Sequence, residues 1–505
     1  MVYEHLSLKE KIYQMFILGF EGTELNSQNL NIQNALDNGL GGVIFFAENF
    51  NRRENFKTLV KNLREAAKIP IFTTIDQEGG LVERTIKLDK KIDYLTPRAL
   101  SQTGCAECVK SHYEILSQDL NDLGINMNFA PVLDVNTNPK NPIIGIRSYG
   151  DNPDNVIKYS KVFHDALTQN NIIATGKHFT GHGEACIDSH LDMPQITLAL
   201  DELENIHIKP FEHSIKCGIP AVMVAHVHYP AFDDEVLPAS LSKNVIGYLK
   251  DRLGFNGLII SDDMVMGGIT NQYDSLDACI KGIEAGIDLF IFRHSDEETI
   301  NLIEKIVEAV KMGMISEDRI NESIKKILFY KEKYGILSGQ NSGGADFSVE
   351  EGQKLIDKIA LKSVKQVKKG ELPPLDQSKK ILILSPDKKN IYNYSFDEGK
   401  LSDFVDFPNV QEKTYSLNPD KTEINTLLPF VELSSIVIFI SYNAVFNPGQ
   451  TELFNKINEP VILIAAGNPD DVNYLKPANS VFQSFCYKTP SLKALANMIF
   501  HDSKN

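Results

Sequence analysis

The segment Gly257-Leu258-Ile259-Ile260-Ser261-Asp262-Asp263 joins a short apolar run to a pair of carboxylates. The run is rich in branched aliphatic residues and is bounded by a glycine and by polar residues. This pattern is typical of a strand buried on both faces, as in parallel sheets that are covered by helices. The segment therefore predicts a buried parallel strand with polar side chains at its carboxyl end.

Seven similar runs occur in the first two-thirds of the chain. The eight runs together are residues 16–20, 42–46, 71–75, 125–131, 172–178, 221–227, 258–261 and 288–292. Amphipathic helical patterns lie between them, for example over 55–67, 154–169 and 296–312. Repeated strand–helix units predict parallel strands, and eight of them predict an α/β fold of the (β/α)8 TIM-barrel type.

Polar residues recur where these runs end. Because the active sites of such barrels lie at the C-terminal ends of the strands, this recurrence predicts a functional site there. The residues concerned are Asp76, Asp134, Lys177, His178, His226, Asp262 and Arg293.

A second, smaller α/β domain is predicted beyond the barrel. Residues 313–335 read as a closing helix, and the glycine-rich stretch 338–344 marks a linker or turn. Three further buried-strand runs follow at 380–385, 435–441 and 460–466, with a helical stretch at 452–458. We predict a (β/α)8 catalytic domain over 1–335, a linker and the start of the second domain over 336–378, and a Rossmann-like α/β sandwich over 379–505.

Composition excludes some classes of partner. The formal net charge of -16 over 505 residues argues against nucleic acid, since its binders carry basic stripes, and against anionic membranes. The N-terminus lacks the basic start and apolar run of a secretory signal, and no apolar run approaches the ~20 residues that span a bilayer. A cytoplasmic location is therefore expected.

The lone pair Cys105-Ala-Glu-Cys108 is a weak redox or metal signal, because no second pair follows it.

The densest polar cluster is Lys177-His178-Phe179-Thr180-Gly181-His182-Gly183-Glu184, followed by Asp188-Ser189-His190. The segment lacks the His-x3-His spacing of a zinc-binding helix, and its two glycines disfavour a helix, so the sequence argues against a metal site. The G-x-S-x-G motif that would position the serine of a Ser–His–Asp triad is absent from the sequence, which disfavours a triad. A purely structural role for this loop is still an alternative. The favoured interpretation is acid/base catalysis, since histidine titrates near neutrality and a carboxylate two residues away can orient it. We expect neither a metal nor another cofactor.

Two other groups could carry chemistry. A strand-end carboxylate such as Asp262 can attack a sugar carbon, whereas its structural alternative is helix capping, and Asp263 would be supportive. Asp76-Gln77-Glu78-Gly79-Gly80, with Arg84 close behind, offers carboxylates and a guanidinium that suit sugar hydroxyls. A turn with local salt bridges explains that second group equally well.

With these motifs the chain resembles glycoside hydrolase family 3, specifically its bacterial β-N-acetylglucosaminidase branch. The motif Lys-His-Phe-x-Gly-His-Gly with a trailing Asp-Ser-His is the most specific part of the resemblance. The matching segments are 75–80, 130–136, 145–150, 177–183, 188–190 and 261–264, which follow the family's order over most of the first 300 residues.

The resemblance implies roles for the matching residues. Asp262 would be the nucleophile, His190 the general acid/base and Asp188 its orienting partner, in a retaining double displacement. Substrate contacts would come from Asp76, Arg84, Arg147, Lys177, His178 and His226. The chain departs from the family's usual residues at Leu81, Thr180 and Glu184, and Leu81 removes a charge near the site. In some relatives the second domain also contributes to the site.

The implied activity is release of terminal β-linked GlcNAc from peptidoglycan fragments, such as muropeptides and GlcNAc-MurNAc, or from chitooligosaccharides. A cytoplasmic location would favour peptidoglycan recycling. A phosphorylase is the runner-up, because a neutral histidine repels phosphate less than a carboxylate does. A non-catalytic sugar-binding protein is a remote alternative, and the oligomeric state stays open.

Overall fold

A computed structural model describes residues 5–339, 347–373, 375, 378–391 and 399–501. Eight parallel strands, β1 to β8, form a closed barrel in chain order, with β8 paired to β1. This confirms the predicted TIM barrel. The strands are β1 Phe16–Leu18, β2 Gly42–Phe45, β3 Phe72–Ile75, β4 Met127–Asn128, β5 Ile173–Phe179, β6 Ala221–Val224, β7 Leu258–Asp263 and β8 Leu289–Phe292.

Helices surround the barrel and bury one face against it. In α3 the buried residues Phe56, Leu59, Val60 and Leu63 recur at helical spacing, as the sequence predicted. The helices of this part are α1 Leu8–Gln14, α2 Leu30–Asp37, α3 Arg53–Ala66, α4 Pro97–Gln102, α5 Ala106–Asp122, α6 Pro153–Gln169, α7 Leu200–Glu202, α8 Lys209–Lys216, α9 Lys243–Gly247, α10 Gly267–Thr270, α11 Ser275–Ala285, α12 Glu297–Lys311 and α13 Glu317–Lys333.

Beyond the barrel lies a six-stranded sheet in the order β11-β10-β12-β13-β14-β9, in which only the edge strand β9 runs antiparallel to its neighbour. The strands are β9 Lys365–Lys368, β10 Ile381–Pro386, β11 Val410–Tyr415, β12 Ile436–Ser441, β13 Val461–Ala465 and β14 Ser480–Gln483. The helices are α14 Val349–Ser363, α15 Lys421–Glu432, α16 Pro448–Asn455, α17 Asp471–Tyr474 and α18 Thr489–Ala496. The smaller α/β domain is thus confirmed.

The predicted linker 338–344 lies mostly outside the described residues, which stop at 339 and resume at 347. The segment that follows belongs structurally to the second sheet, because α14 leads directly into β9. α14 also packs against α4 and α5 of the barrel and against α18. One continuous hydrophobic core therefore runs through both domains.

Among the described residues, no helix combines the length and the hydropathy that a membrane crossing requires.

Cys105 and Cys108 form a disulfide at the N-terminus of α5, and Lys362 Nζ lies 3.4 Å from Cys108 Sγ. The weak C-x-x-C signal therefore marks a local disulfide, which joins residues only three positions apart.

Candidate active site

A cavity of about 570 Å³ opens at the C-terminal ends of the barrel strands. Its size is typical of pockets that bind small molecules. Eight of the nine residues predicted for the site line it, namely Asp76, Arg84, Arg147, Lys177, His178, Asp188, His190 and Asp262.

Lys177 lies at the centre of the charged cluster in this cavity. Its side chain is 2% exposed, and Nζ donates to Asp76 Oδ1 at 2.7 Å and lies 2.7 Å from Glu78 Oε1. Burial alone would raise the pKa of Asp76, but the charges of Lys177 and Arg84 outweigh it and hold the pKa below its ordinary value. Asp76 is therefore a carboxylate near neutral pH, able to accept hydrogen bonds from a sugar.

Arg147 is fixed by a bidentate ion pair with Glu78. Its Nε and Nη2 donate to the two carboxylate oxygens at 2.9 and 2.8 Å. Burial would raise the pKa of Glu78, but the charges of Arg147 and Lys177 lower it to about 2. Glu78 thus holds two predicted substrate contacts in place. The sequence groups Glu78 with Asp76 as carboxylates that suit sugar hydroxyls, whereas in the structure the Glu78 carboxylate is occupied by Arg147 and Lys177.

Asp134 organises the strand-end histidines. Its Oδ2 lies 2.7 Å from His178 Nδ1, and its Oδ1 accepts from the backbone N–H of His182 at 2.6 Å. Burial would raise the pKa of Asp134, but the neighbouring imidazole of His178 outweighs it and the pKa is lowered. Asp134 therefore fixes which ring nitrogen of His178 faces the cavity. The sequence places Asp134 among the strand-end residues of the predicted site but assigns it no role.

Asp188 and His190 form a hydrogen-bonded pair on the loop after β5. His190 Nδ1 lies 2.8 Å from Asp188 Oδ1, and the same oxygen accepts from the His190 backbone N–H at 2.9 Å. Burial would raise the pKa of Asp188, but these hydrogen bonds lower it below its ordinary value. The His190 side chain is 48% exposed, so its other nitrogen is open to a ligand in the cavity. This arrangement suits a proton-transferring imidazole.

The loop that carries this pair is anchored on both sides. The buried Ser189 hydroxyl lies 3.0 Å from His182 Nε2, and the carbonyls of Ser189 and His190 accept from Gly268 and Gly267. A Cβ at Gly267 would lie 2.4 Å from the carbonyl oxygen of Leu191, so only glycine permits this approach. The anchors hold the loop close to the end of β7, which carries Asp262.

Asp262 lies near the end of β7, with its carboxylate on the cavity wall. Burial would raise its pKa, but the nearby imidazoles of His178 and His190 and the hydrogen bond from the Asp263 backbone N–H outweigh it, so the pKa is lowered. The neighbouring Asp263 instead accepts from Arg293 Nε at 2.5 Å. Both carboxylates line the cavity, but their partners differ: within the described part of the chain Asp262 has no ion pair, whereas Asp263 pairs with Arg293 at the end of β8.

His226 is the one predicted site residue that the structure does not place on the cavity wall. Its Nδ1 lies 2.7 Å from the Ser240 hydroxyl and its Nε2 lies 3.2 Å from the carbonyl oxygen of Asp263. Burial lowers the pKa of this imidazole, which is therefore neutral near pH 7. Both ring nitrogens of His226 therefore face groups of the protein, and the ring supports the end of β7. Its predicted contact with substrate stays a prediction.

The second domain reaches the cavity as well, since Ile391, just after β10, contributes to its wall. Among the described residues, no group of three histidine, cysteine or acidic side chains is arranged to hold a metal ion. The site thus combines a carboxylate, an Asp–His pair and a set of fixed charged side chains. Such a set can perform nucleophilic and acid/base chemistry with its own residues.

Comparison with known proteins places this site in a family. Residues 7–329 match the glycosyl hydrolase family 3 N-terminal domain. The chain is 28% identical over 382 residues to β-hexosaminidase A of Pseudoalteromonas piscicida, covering 70% of this chain and 64% of that protein. It is 33% identical over 297 residues to a β-hexosaminidase of Actinobacillus pleuropneumoniae serotype 3 (strain JL03), covering 57% of this chain and 84% of that protein.

A solved structure agrees over both domains. The β-N-acetylglucosaminidase of glycoside hydrolase family 3 from Paenibacillus sp. str. FPU-7 superposes with a TM-score of 0.90 at 31% identity. The match covers 98% of this chain and 97% of that one. The barrel and the following α/β domain therefore occur together in that relative.

Proposed function

The chain belongs to glycosyl hydrolase family 3, and from this membership we propose that it is a retaining exo-β-N-acetylglucosaminidase. Relatives named β-hexosaminidase and β-N-acetylglucosaminidase support this choice. The observation that carries the proposal is that Asp262 and the Asp188–His190 pair line one cavity. A nucleophile and an acid/base in one pocket are the two groups that a double displacement needs.

In the first step the Asp262 carboxylate attacks the anomeric carbon and His190 protonates the oxygen of the departing sugar. A covalent glycosyl–enzyme ester forms and the glycosidic bond breaks. Asp188 positions the His190 ring and stabilises its charged form. The lowered pKa of Asp262 supports this role, because the nucleophile must be ionised near neutral pH.

In the second step His190, now neutral, takes a proton from water as the water attacks the anomeric carbon. The ester to Asp262 breaks and the sugar leaves with its original configuration. Asp76, Arg84, Arg147, Lys177 and His178 would hold the sugar's hydroxyls. These residues are fixed by their mutual ion pairs and hydrogen bonds before any ligand binds, which favours correct orientation of the substrate.

Substrates of this activity would be GlcNAc-terminated peptidoglycan fragments or chitooligosaccharides. The proposal is tested by trapping the ester with an activated 5-fluoro-GlcNAc donor and measuring the mass of the intact protein. One fluorosugar should add to the wild type and to the control Asp251→Asn, but not to Asp262→Ala. Labelling of Asp262→Ala to the same extent would refute the assigned nucleophile.

Hydrolysis is distinguished from phosphorolysis by the product. A chromogenic GlcNAc glycoside should yield free GlcNAc both with and without inorganic phosphate. GlcNAc-1-phosphate formed in proportion to the phosphate present would favour the phosphorylase instead. Absence of any glycoside turnover in the wild type would favour a sugar-binding protein.

A further inference from the structure

The disulfide Cys105–Cys108 lies outside the cavity that holds the proposed catalytic residues. Its C-x-x-C motif begins α5, one of the helices between the parallel strands β3 and β4. Cys105 is the N-cap residue of this helix, and both cysteines are only half-buried. A small thiol in solution can therefore reach the bond between them.

Groups that stabilise a thiolate lie beside both sulfur atoms. Lys362 Nζ lies 3.4 Å from Cys108 Sγ and 3.8 Å from Cys105 Sγ. The backbone N–H of Cys108 donates to Cys105 Sγ at 3.2 Å. An ammonium group and a backbone donor at the start of a helix both favour the thiolate of a cysteine over the thiol. These surroundings therefore stabilise the reduced form of the pair as soon as the bond is opened.

The acidic residue of the motif is directed away from the sulfurs. Glu107 stands between the two cysteines in the sequence, but its side chain is exposed and its carboxylate lies 4.0 Å from Lys110 Nζ. Lys362 is exposed as well, so solvent and salt screen its charge. Its effect on the sulfurs should therefore be a few-fold change in an equilibrium constant, as for other solvent-exposed charge pairs.

The site is assembled from two parts of the chain that are far apart in sequence. Lys362 lies in the last turn of α14, which packs against α5 and leads into β9 of the second sheet. The disulfide itself joins residues only three positions apart. So short a loop gains less stability from a cross-link than a long one does. Opening the bond should therefore leave the fold intact.

We propose that Cys105–Cys108 is a redox-active disulfide that exchanges with low-molecular-weight thiols, and that Lys362 stabilises the thiolate released. The inference goes beyond the proposed glycosidase activity and does not depend on it.

The exchange proceeds in two steps. A small thiolate attacks one sulfur of the pair, so that a mixed disulfide forms, the Cys105–Cys108 bond breaks, and the other cysteine leaves with the electron pair as a thiolate. A second small thiolate attacks the small-molecule sulfur of the mixed disulfide, which releases the second cysteine as a thiolate. Two small thiols are thereby oxidised to one disulfide, and the protein disulfide is reduced to two thiols.

The test is a titration of the full chain with mixtures of reduced and oxidised glutathione at about pH 8, where cysteine thiolates are well populated. After acid quenching and alkylation of free thiols, trypsin releases residues 99–110, a peptide that contains Cys105 and Cys108 and no other cysteine. Its mass gives the reduced fraction. About 10 mM reduced glutathione should reduce the pair in the folded protein, and oxidised glutathione should restore the disulfide. A pair that stays oxidised until the protein is unfolded would overturn the inference, as would a pair that stays reduced in excess oxidised glutathione.

Variants of Lys362 test its part in the exchange. Lys362→Met should shift the glutathione equilibrium toward the disulfide by about threefold, because the thiolate loses a solvent-exposed cation. Lys362→Arg keeps the charge and should behave like the wild type. Lys354→Met is the matched control, since Lys354 lies on the same helix, is exposed, and donates to Glu350 at 2.6 Å. Equal shifts in Lys362→Met and Lys354→Met would contradict the role given to Lys362.

Discussion

Lys177 Nζ lies 2.7 Å from Glu78 Oε1, and both side chains are almost completely buried. Glu78 is also held by two hydrogen bonds from Arg147. One carboxylate therefore orients two cations that would contact the sugar. Because a buried charge that loses its partner is costly, this carboxylate should matter for folding as well as for binding.

Glu78→Gln should lower the free energy of unfolding by about 3 kcal/mol, because Lys177 and Arg147 lose a buried counter-charge. The measurement is urea unfolding followed by circular dichroism. Glu308→Gln, which removes only an exposed ion pair with Lys311, is the control and should leave the unfolding curve unchanged. Equal curves for wild type and Glu78→Gln would contradict the role of Glu78.

The stability contributed by Glu78 should depend on pH in a defined direction. Its pKa is lowered from an ordinary 4.5 to about 2 in the folded protein. A group with a depressed folded pKa contributes fully above its unfolded pKa, and the contribution is lost as pH falls through the folded pKa. The stability difference between wild type and Glu78→Gln should therefore be constant above pH 5 and shrink between about pH 4.5 and 2. A difference that grows on acidification would refute the assignment.

Asp188→Asn should lower kcat by about two orders of magnitude or more, with little change in KM. The amide can still contact the His190 ring but does not stabilise its charged form. Asp192→Asn is the matched control, because Asp192 lies on the same loop, is exposed, and accepts from its neighbour Met193. Steady-state kinetics on a chromogenic GlcNAc glycoside gives both constants. A near-normal kcat in Asp188→Asn would remove the Asp–His pair from the mechanism.

The barrel could be predicted from the sequence because its strands are buried on both faces. Runs such as Ile259-Ile260 are continuous and apolar, and all eight predicted strands are present. Three strands of the second sheet are not predicted from the sequence. The edge strands β9 and β11 are largely polar, since an edge strand need not be apolar, and the interior strand β14, Ser480-Val481-Phe482-Gln483, holds only two apolar residues. Long apolar runs therefore identify the barrel and the three central strands β10, β12 and β13, but not the rest of the second sheet.

Only part of the site could be predicted from the sequence. The ends of the predicted strands all lie at one face of the barrel, and this alone predicts that Asp76, Lys177 and Asp262 line one cavity. Hydrogen-bond partners across loops are not encoded by spacing. The support by Glu78 and Asp134, and the inward turn of His226 toward Ser240, depend on contacts between segments far apart in sequence.

Chelating agents should leave the activity unchanged. The proposed reaction uses a carboxylate and an imidazole, and the described residues include no cluster of three potential metal ligands. Turnover of a chromogenic GlcNAc glycoside is measured before and after dialysis against EDTA. Loss of activity that zinc restores would contradict this expectation and reopen the histidine-rich segment as a metal site.

Lys488 of the second domain should be essential for the stability of the domain contact. Its Nζ lies 2.6 Å from Glu83 Oε2, and both side chains are buried, at 0% and 1% exposure. Lys488→Met should lower the free energy of unfolding by about 3–5 kcal/mol, because Glu83 loses its buried partner. Burial already raises the pKa of Glu83 to about 7, so without Lys488 this carboxyl must either stay charged and unpaired or take up a proton in the core. Lys493→Met, which breaks the more exposed contact between Lys493 of α18 and Asp357 of α14, should cost about 1 kcal/mol or less.

The double variant Lys488→Met with Glu83→Gln separates the two possible reasons for that loss. If an unpaired carboxylate is the cause, removing its charge should restore most of the lost stability, because a buried ion pair contributes little beyond the neutral pair that replaces it. Urea unfolding of the wild type, both single variants and the double variant gives the coupling between them. Additive losses would contradict this reasoning, since they would mean that Lys488 acts through packing rather than through the charge of Glu83.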